Sequence, residues 1–113
     1  MKINNFNINK KSPVFIIAEL SANHNGDKNI AIDTIRAAKR AGANAIKLQT
    51  YTADTLTIKS SKEDFIIKSD SIWDGSTFYD LYKSAYTPWE WHKELFQVAA
   101  DEGLICFSSP FDI

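Results

Sequence analysis

Apolar residues recur along this chain with two different spacings, and the switches between them predict its elements. Residues 43–51, Ala43-Asn44-Ala45-Ile46-Lys47-Leu48-Gln49-Thr50-Tyr51, read as a buried strand entered from a helix and left by a long loop. Successive strand residues point to opposite faces, so Ile46 and Leu48 share one side while Lys47 and Gln49 share the other. Val14-Phe15-Ile16-Ile17-Ala18 is a near-continuous apolar run, the pattern of a strand covered on both faces. Glu19, at its carboxyl end, has the parity of Phe15 and Ile17. Leu104-Ile105-Cys106-Phe107-Ser108-Ser109 reads as a third strand, with Ser109 on the side of Ile105 and Phe107. A weaker alternation over residues 2–8 predicts a β-hairpin strand before the turn-like Asn9-Lys10-Lys11-Ser12-Pro13.

Helical spacing fills two of the gaps. Residues 28–41 place Ile30, Thr34, Ala38 and Ala41 on one stripe, widened by Ala31 and Ile35. Asp27 suits the N-cap and Gly42 the C-terminal stop. Thr87-Pro88-Trp89-Glu90 has the Thr-x-x-Glu spacing of a capping box, with Pro at the first helical position. From there a helix runs to about residue 102 and stops at Gly103, with Trp91, Leu95, Val98 and Ala99 as its apolar stripe. Between the Lys47 strand and this helix lie residues 52–86, far more than the roughly 2–6 of an ordinary strand-to-helix loop. That stretch begins polar and then carries Phe65, Trp73, Phe78, Tyr79, Tyr82 and Tyr86, which suits a packed segment with a short helix over 77–84. The order hairpin, β, α, β, long loop, α, β predicts an α/β fold with a parallel sheet. It leaves open whether that sheet is a barrel or flat.

Composition narrows the functional classes. At 113 residues the chain is at most one domain, and 13 basic against 14 acidic residues give no electrostatic case for nucleic acid or an acidic membrane surface. A lone cysteine excludes an internal disulfide framework. Neither a leader-like apolar run near Met1 nor a stretch of about 20 apolar residues is present, so a soluble, cytoplasmic protein is the expectation.

Candidate chemistry concentrates at the strand ends. An inward Lys47 on an apolar strand is costly unless something anionic meets it, which makes it a candidate anion anchor. A sheet-edge lysine snorkelling to water is the plainer alternative. Glu19, Lys47 with Gln49, and Ser109 end three successive strands with a carboxylate, an ammonium, an amide and a hydroxyl. In a (β/α)8 barrel such positions build the active site; the plainer account is that strand ends turn polar as they approach water. Asn23-His24-Asn25-Gly26 adds polar groups beside Glu19, His24 reading as a structural hydrogen-bonding residue. His24, His92 and Cys106 have no metal-ligand spacing, and Cys106 reads as a small buried hydrophobe.

Three motifs together resemble a known family. Ile17-Ala18-Glu19-Leu20-Ser21-Ala22-Asn23-His24-Asn25-Gly26, Ala45-Ile46-Lys47-Leu48-Gln49-Thr50 and Phe107-Ser108-Ser109-Pro110-Phe111-Asp112 are similar to the amino-terminal signatures of the sialic acid synthase family. Trp73-Asp74-Gly75, Tyr79-Asp80-Leu81-Tyr82 and Thr87-Pro88-Trp89-Glu90-Trp91-His92 resemble its pseudaminic acid synthase branch. The resemblance implies a TIM barrel, of which residues 1–113 would supply an amino-terminal portion of about three strands. The rest of the barrel and a carboxyl-terminal antifreeze-like domain would lie outside it. The implied reaction condenses phosphoenolpyruvate with an amino-sugar aldehyde to a nine-carbon acid. Glu19 and Lys47 match catalytic positions; Lys47 and Ser109 match phosphoenolpyruvate contacts; Glu19, Gln49 and Asn23 match the sugar side. Trp73 and residues 79–82 are expected to cover the sugar site. The family further implies a divalent metal, Mn or Mg, with ligands outside this chain, and a homodimer. The 113 residues alone are expected to be inactive. Two alternatives stay open: another phosphoenolpyruvate-dependent synthase of 3-deoxy-sugar acids, and a non-catalytic remnant or partner-dependent fragment.

Overall fold

The computed structural model describes residues 1–112. Two short strands, β1 (Lys2–Ile3) and β2 (Phe6–Asn7), pair antiparallel, turning through Asn4 at φ 47°. The predicted hairpin therefore closes within the first eight residues. Asn9 then organises the next turn by accepting from Lys11 N at 2.8 Å.

A three-stranded parallel sheet follows, in the order β3 (Ile17–Ser21), β4 (Ala45–Thr50), β5 (Ile105–Pro110). The first strand starts later than its apolar run. Val14 and Ile16 are exposed, not covered on both faces as expected, because β3 lies at the sheet edge and pairs only with β4. Asn44 stands in for the ladder there, accepting from Ile16 N at 2.8 Å. Phe15 finds shelter against the hairpin, edge-on to Phe6. A bulge interrupts β3: Glu19 pairs with Lys47, Ser21 pairs with Leu48, and Leu20 is the extra residue.

Helix α1 (Lys28–Arg40) starts where predicted, with Asp27 accepting from Asn29 N at 2.7 Å, and is stopped by Gly42 at φ 93°. Its stripe is rotated from the expected centre. Ala31 and Ile35 are sealed, while Ile30 is largely exposed. The long connection contains α2 (Ala53–Leu56), a 3-10 turn at Glu63–Phe65, and α3 (Phe78–Ala85). An antiparallel bridge between Ile66 and Thr77 pinches off a loop with Trp73 and Gly75 at its tip. Thr77 caps α3, accepting from Asp80 N at 3.1 Å.

The predicted capping box at Thr87 does not form. Residues Trp89–Trp91 make a 3-10 turn before α4 (His92–Asp101), and Thr87 is buried with its hydroxyl on His24, 2.9 Å away. One hydroxyl hydrogen-bonds a buried imidazole more favourably than it satisfies an amide that water reaches. Helices α1 and α4 cover one face of the sheet. Leu20, Ile35, Ile46, Leu48, Leu95 and Ala99 form the core between them, with Cys106 packed half-buried against it. Burial pushes the Cys106 thiol up to about 11, so it stays protonated and acts as a hydrophobe. Fully burying each of the large aliphatics contributes about 1.5–3 kcal/mol. Among the described residues no helix is long and apolar enough to cross a membrane.

Candidate active site

Parity places the chemistry on the face that no helix covers. With Ile46 and Leu48 sealed on the helix side, Lys47 and Gln49 necessarily project from the other. The register sets Glu19 beside Lys47 across β3 and β4, and Gln49 beside Ser109 across β4 and β5. Lys47 Nζ lies 2.9 Å from Glu19 Oε1, and Ser21 Oγ donates to Glu19 Oε2 at 3.3 Å. The Lys47 hydrogen bond and charge hold the Glu19 carboxyl below its ordinary range, against a smaller opposing effect of desolvation. Lys47 is the more enclosed partner, its side chain 25% exposed against 55% for Glu19. An ion pair this open to water contributes little to folding. It does present a fixed cation whose counter-ion can be shared with an incoming anion.

Four of the five sequence-derived site residues thus lie on one face. Asn23 has a different set of contacts. Its Nδ2 donates to Leu20 O at 3.2 Å, and it lines a groove of about 550 Å³ with Asn25, Ile72, Trp73, Leu81 and Ser84. This groove runs between the loop after β3 and the long segment after β4, the carboxyl-end side of the sheet. Trp73 lies on it, as does Leu81 from α3. Tyr79 and Tyr82 are engaged elsewhere. Tyr79 donates its hydroxyl to Asp54 at 3.0 Å, and Tyr82 stacks on Phe78 and meets Tyr51 edge-on.

His24 is wholly buried, edge-on to Trp91, and acts as a brace. Its Nδ1 accepts from Gly26 N at 3.2 Å, so the neutral ring carries its proton on Nε2 and donates to Thr87. Burial pulls its pKa below 6.5. Nothing in the sequence pairs residues 24 and 87, which lie 63 positions apart. A second polar cluster also escaped sequence reasoning: Thr50, Ser108 and His92 are joined by hydrogen bonds at the carboxyl ends of β4 and β5. The outward parity of Thr50 and Ser108 and the shortness of the turn before α4 were the available signals.

A divalent metal finds no ligand set here. Among the described residues no three of His, Cys, Asp and Glu converge as a metal site would require. The described residues do not fit a metal by themselves.

Known proteins are similar to this chain over nearly its whole length. The chain is 60% identical over 111 residues to pseudaminic acid synthase of Campylobacter jejuni, covering 98% of this chain and 32% of that protein. It is 50% identical over 99 residues to pseudaminic acid synthase of Helicobacter pylori, covering 88% of this chain and 29% of that protein. It therefore spans about a third of the length of these relatives. The crystal structure of N-acetylneuraminic acid synthetase from Leptospira borgpetersenii, solved with citrate, superposes with a TM-score of 0.76 at 31% identity, over 100% of this chain and 34% of that one. Residues 34–113 match the NeuB family. With more than half its length inside that match and its parallel α/β sheet shared with a sialic acid synthetase, the chain belongs to the NeuB family.

Proposed function

We propose that this chain is part of a sialic acid synthase of the pseudaminic acid type, which joins phosphoenolpyruvate to an amino-sugar aldehyde. The observation that carries the reading is Lys47, an ammonium fixed on the uncovered sheet face beside Glu19, with Gln49 and Ser109 next along the same face. In this reading the three strands are staves of a TIM barrel, completed by chain of the relatives' length. Lys47 and Ser109 hold the phosphoenolpyruvate, while Glu19, Gln49 and Asn23 face the sugar. The citrate in the Leptospira borgpetersenii relative is a polycarboxylate, and an anion subsite is what Lys47 offers.

The chemistry assigned to these groups is positioning and charge. C3 of the enolpyruvate forms a bond to the aldehyde carbon, whose oxygen takes a proton and becomes a hydroxyl. The oxygen of water bonds to C2, phosphate leaves from C2, and the keto group of the product forms as the remaining proton is released. Lys47 steadies the anionic donor throughout, sharing its charge between Glu19 and the substrate. The groove lined by Trp73 and Asn23 offers an apolar wall and amide groups to the sugar.

The test is phosphate release by the whole enzyme, at the length of its relatives, with phosphoenolpyruvate and an amino-sugar, each omitted in turn. Release that requires both is expected. Release with a neutral sugar aldehyde but not an amino-sugar would favour a 3-deoxy-sugar acid synthase. No release with either would support a non-catalytic protein.

A further inference from the structure

The polar cluster behind the substrate face has an order of its own. His92 Nδ1 lies 3.3 Å from Pro88 O, and a carbonyl only accepts, so Nδ1 carries the proton of the neutral ring. Nε2 is then an acceptor. Thr50 Oγ1, 2.7 Å away, must donate to it. That leaves Thr50 Oγ1 to accept from Ser108 Oγ at 2.6 Å. The result is a directed chain, Ser108 to Thr50 to His92 to Pro88 O, tying the ends of β4 and β5 to the start of α4.

Its place in the sheet gives it a purpose. Along the helix-facing side of β4, Ile46 and Leu48 are sealed in the core, whereas Thr50 is only half-buried. Apolar packing therefore ends at Leu48. Leu104 is buried just before β5, and along the same side of β5 Cys106 and Ser108 are half-buried. The directed hydrogen bonds begin where the packing stops. Thr50 and Ser108 are the sequence neighbours of Gln49 and Ser109, which pair across the strands on the opposite face. Side chains alternate, so fixing the outer pair fixes the backbone that aims the inner pair. We propose that Ser108, Thr50 and His92 are positioning residues, a tie behind the sheet that sets the spacing and aim of Gln49 and Ser109.

The effect on substrate rests on the synthase reading; the effect on placement does not. The experiment uses the whole enzyme with Thr50→Val, which keeps the shape and removes the hydroxyl, and Thr50→Ser, which keeps the hydroxyl. Phosphoenolpyruvate is titrated by calorimetry, and both variants are crystallised. Thr50→Val is expected to lose about tenfold in affinity while Thr50→Ser stays within about threefold, as for loss of one aligned hydrogen bond. In the Thr50→Val crystals Gln49 and Ser109 should shift relative to Lys47. Wild-type affinity in Thr50→Val, with Gln49 and Ser109 unmoved, overturns the proposal. If the wild type binds no phosphoenolpyruvate, the synthase reading falls and placement alone decides: an unmoved pair overturns the tie and a shifted pair upholds it. If Thr50→Val does not fold, Ser108→Ala, which removes only the first donor, is read by the same two measurements.

Discussion

The two faces of one sheet are built to opposite rules. On the helix side, Ile46, Leu48, Ile35, Leu95 and Ala99 have no exposure to solvent, and among the described residues no buried side-chain nitrogen or oxygen lacks a hydrogen-bond partner. On the other side Ile17 and Phe107 remain 45% and 37% exposed, and between them stands an ion pair. The same strands supply both surfaces. In this chain the packed side holds the fold together, its surface spent on packing, while the exposed side carries the ion pair. Substitutions should therefore separate cleanly into those that unfold and those that disable.

The largest effect is expected on the sealed side. Ile46→Ala should remove about 2–5 kcal/mol of stability, the usual loss for truncating a core aliphatic. Chemical denaturation would measure it, and a loss under 1 kcal/mol would break the comparison. On the open side, Lys47→Ala in the whole enzyme should leave the melting midpoint nearly unchanged. It should raise KM for phosphoenolpyruvate roughly ten- to a hundredfold, as expected when a charge-assisted contact is lost. Steady-state kinetics with unaltered phosphoenolpyruvate dependence would remove Lys47 from the anion subsite.

A pH measurement sharpens the contrast further. His24 is on the sealed side with its pKa held below 6.5 by burial. Between that folded value and 6.5 the unfolded chain binds the extra proton, so stability is full above 6.5 and declines as pH falls. Denaturation curves taken downward from pH 7.5 should show this slope, and His24→Gln should flatten it. An unchanged slope would mean that other groups set the pH response. Glu19, on the open side, acts in the same direction but lower, below its ordinary 4.5. The smallest effect should come from Ile17→Thr in the isolated 113 residues. It should change stability little yet reduce self-association seen by size exclusion, because Ile17 sits on an exposed edge strand. A monodisperse unsubstituted chain would refute that expectation.

Strand parity was legible in the sequence because its period is two and splits the strand one way: Ile46 and Leu48 on the face the helices cover, Lys47 and Gln49 on the other. Helix phase was less so. A stripe rich in alanine has a blunt centre, which is why Ile30 reads as core while Ala31 and Ile35 hold that place. Val14 misled for another reason. An apolar run records what a strand prefers, not whether a neighbour exists to cover it. Thr87 misled because its capping spacing is local and its actual partner, His24, is distant. The Glu19–Lys47 pairing needed the register between β3 and β4, which no local pattern announces.

That bulge gives the chain a three-dimensional reading frame. Upstream of Leu20, β3 and β4 advance in step; downstream they are offset by one residue. Deleting Leu20 would slide Ser21 into its place, setting a hydroxyl among aliphatic side chains where the strand ends. A loop exchanged between members of the family is safe only if cut after Ser21, with the offset carried along.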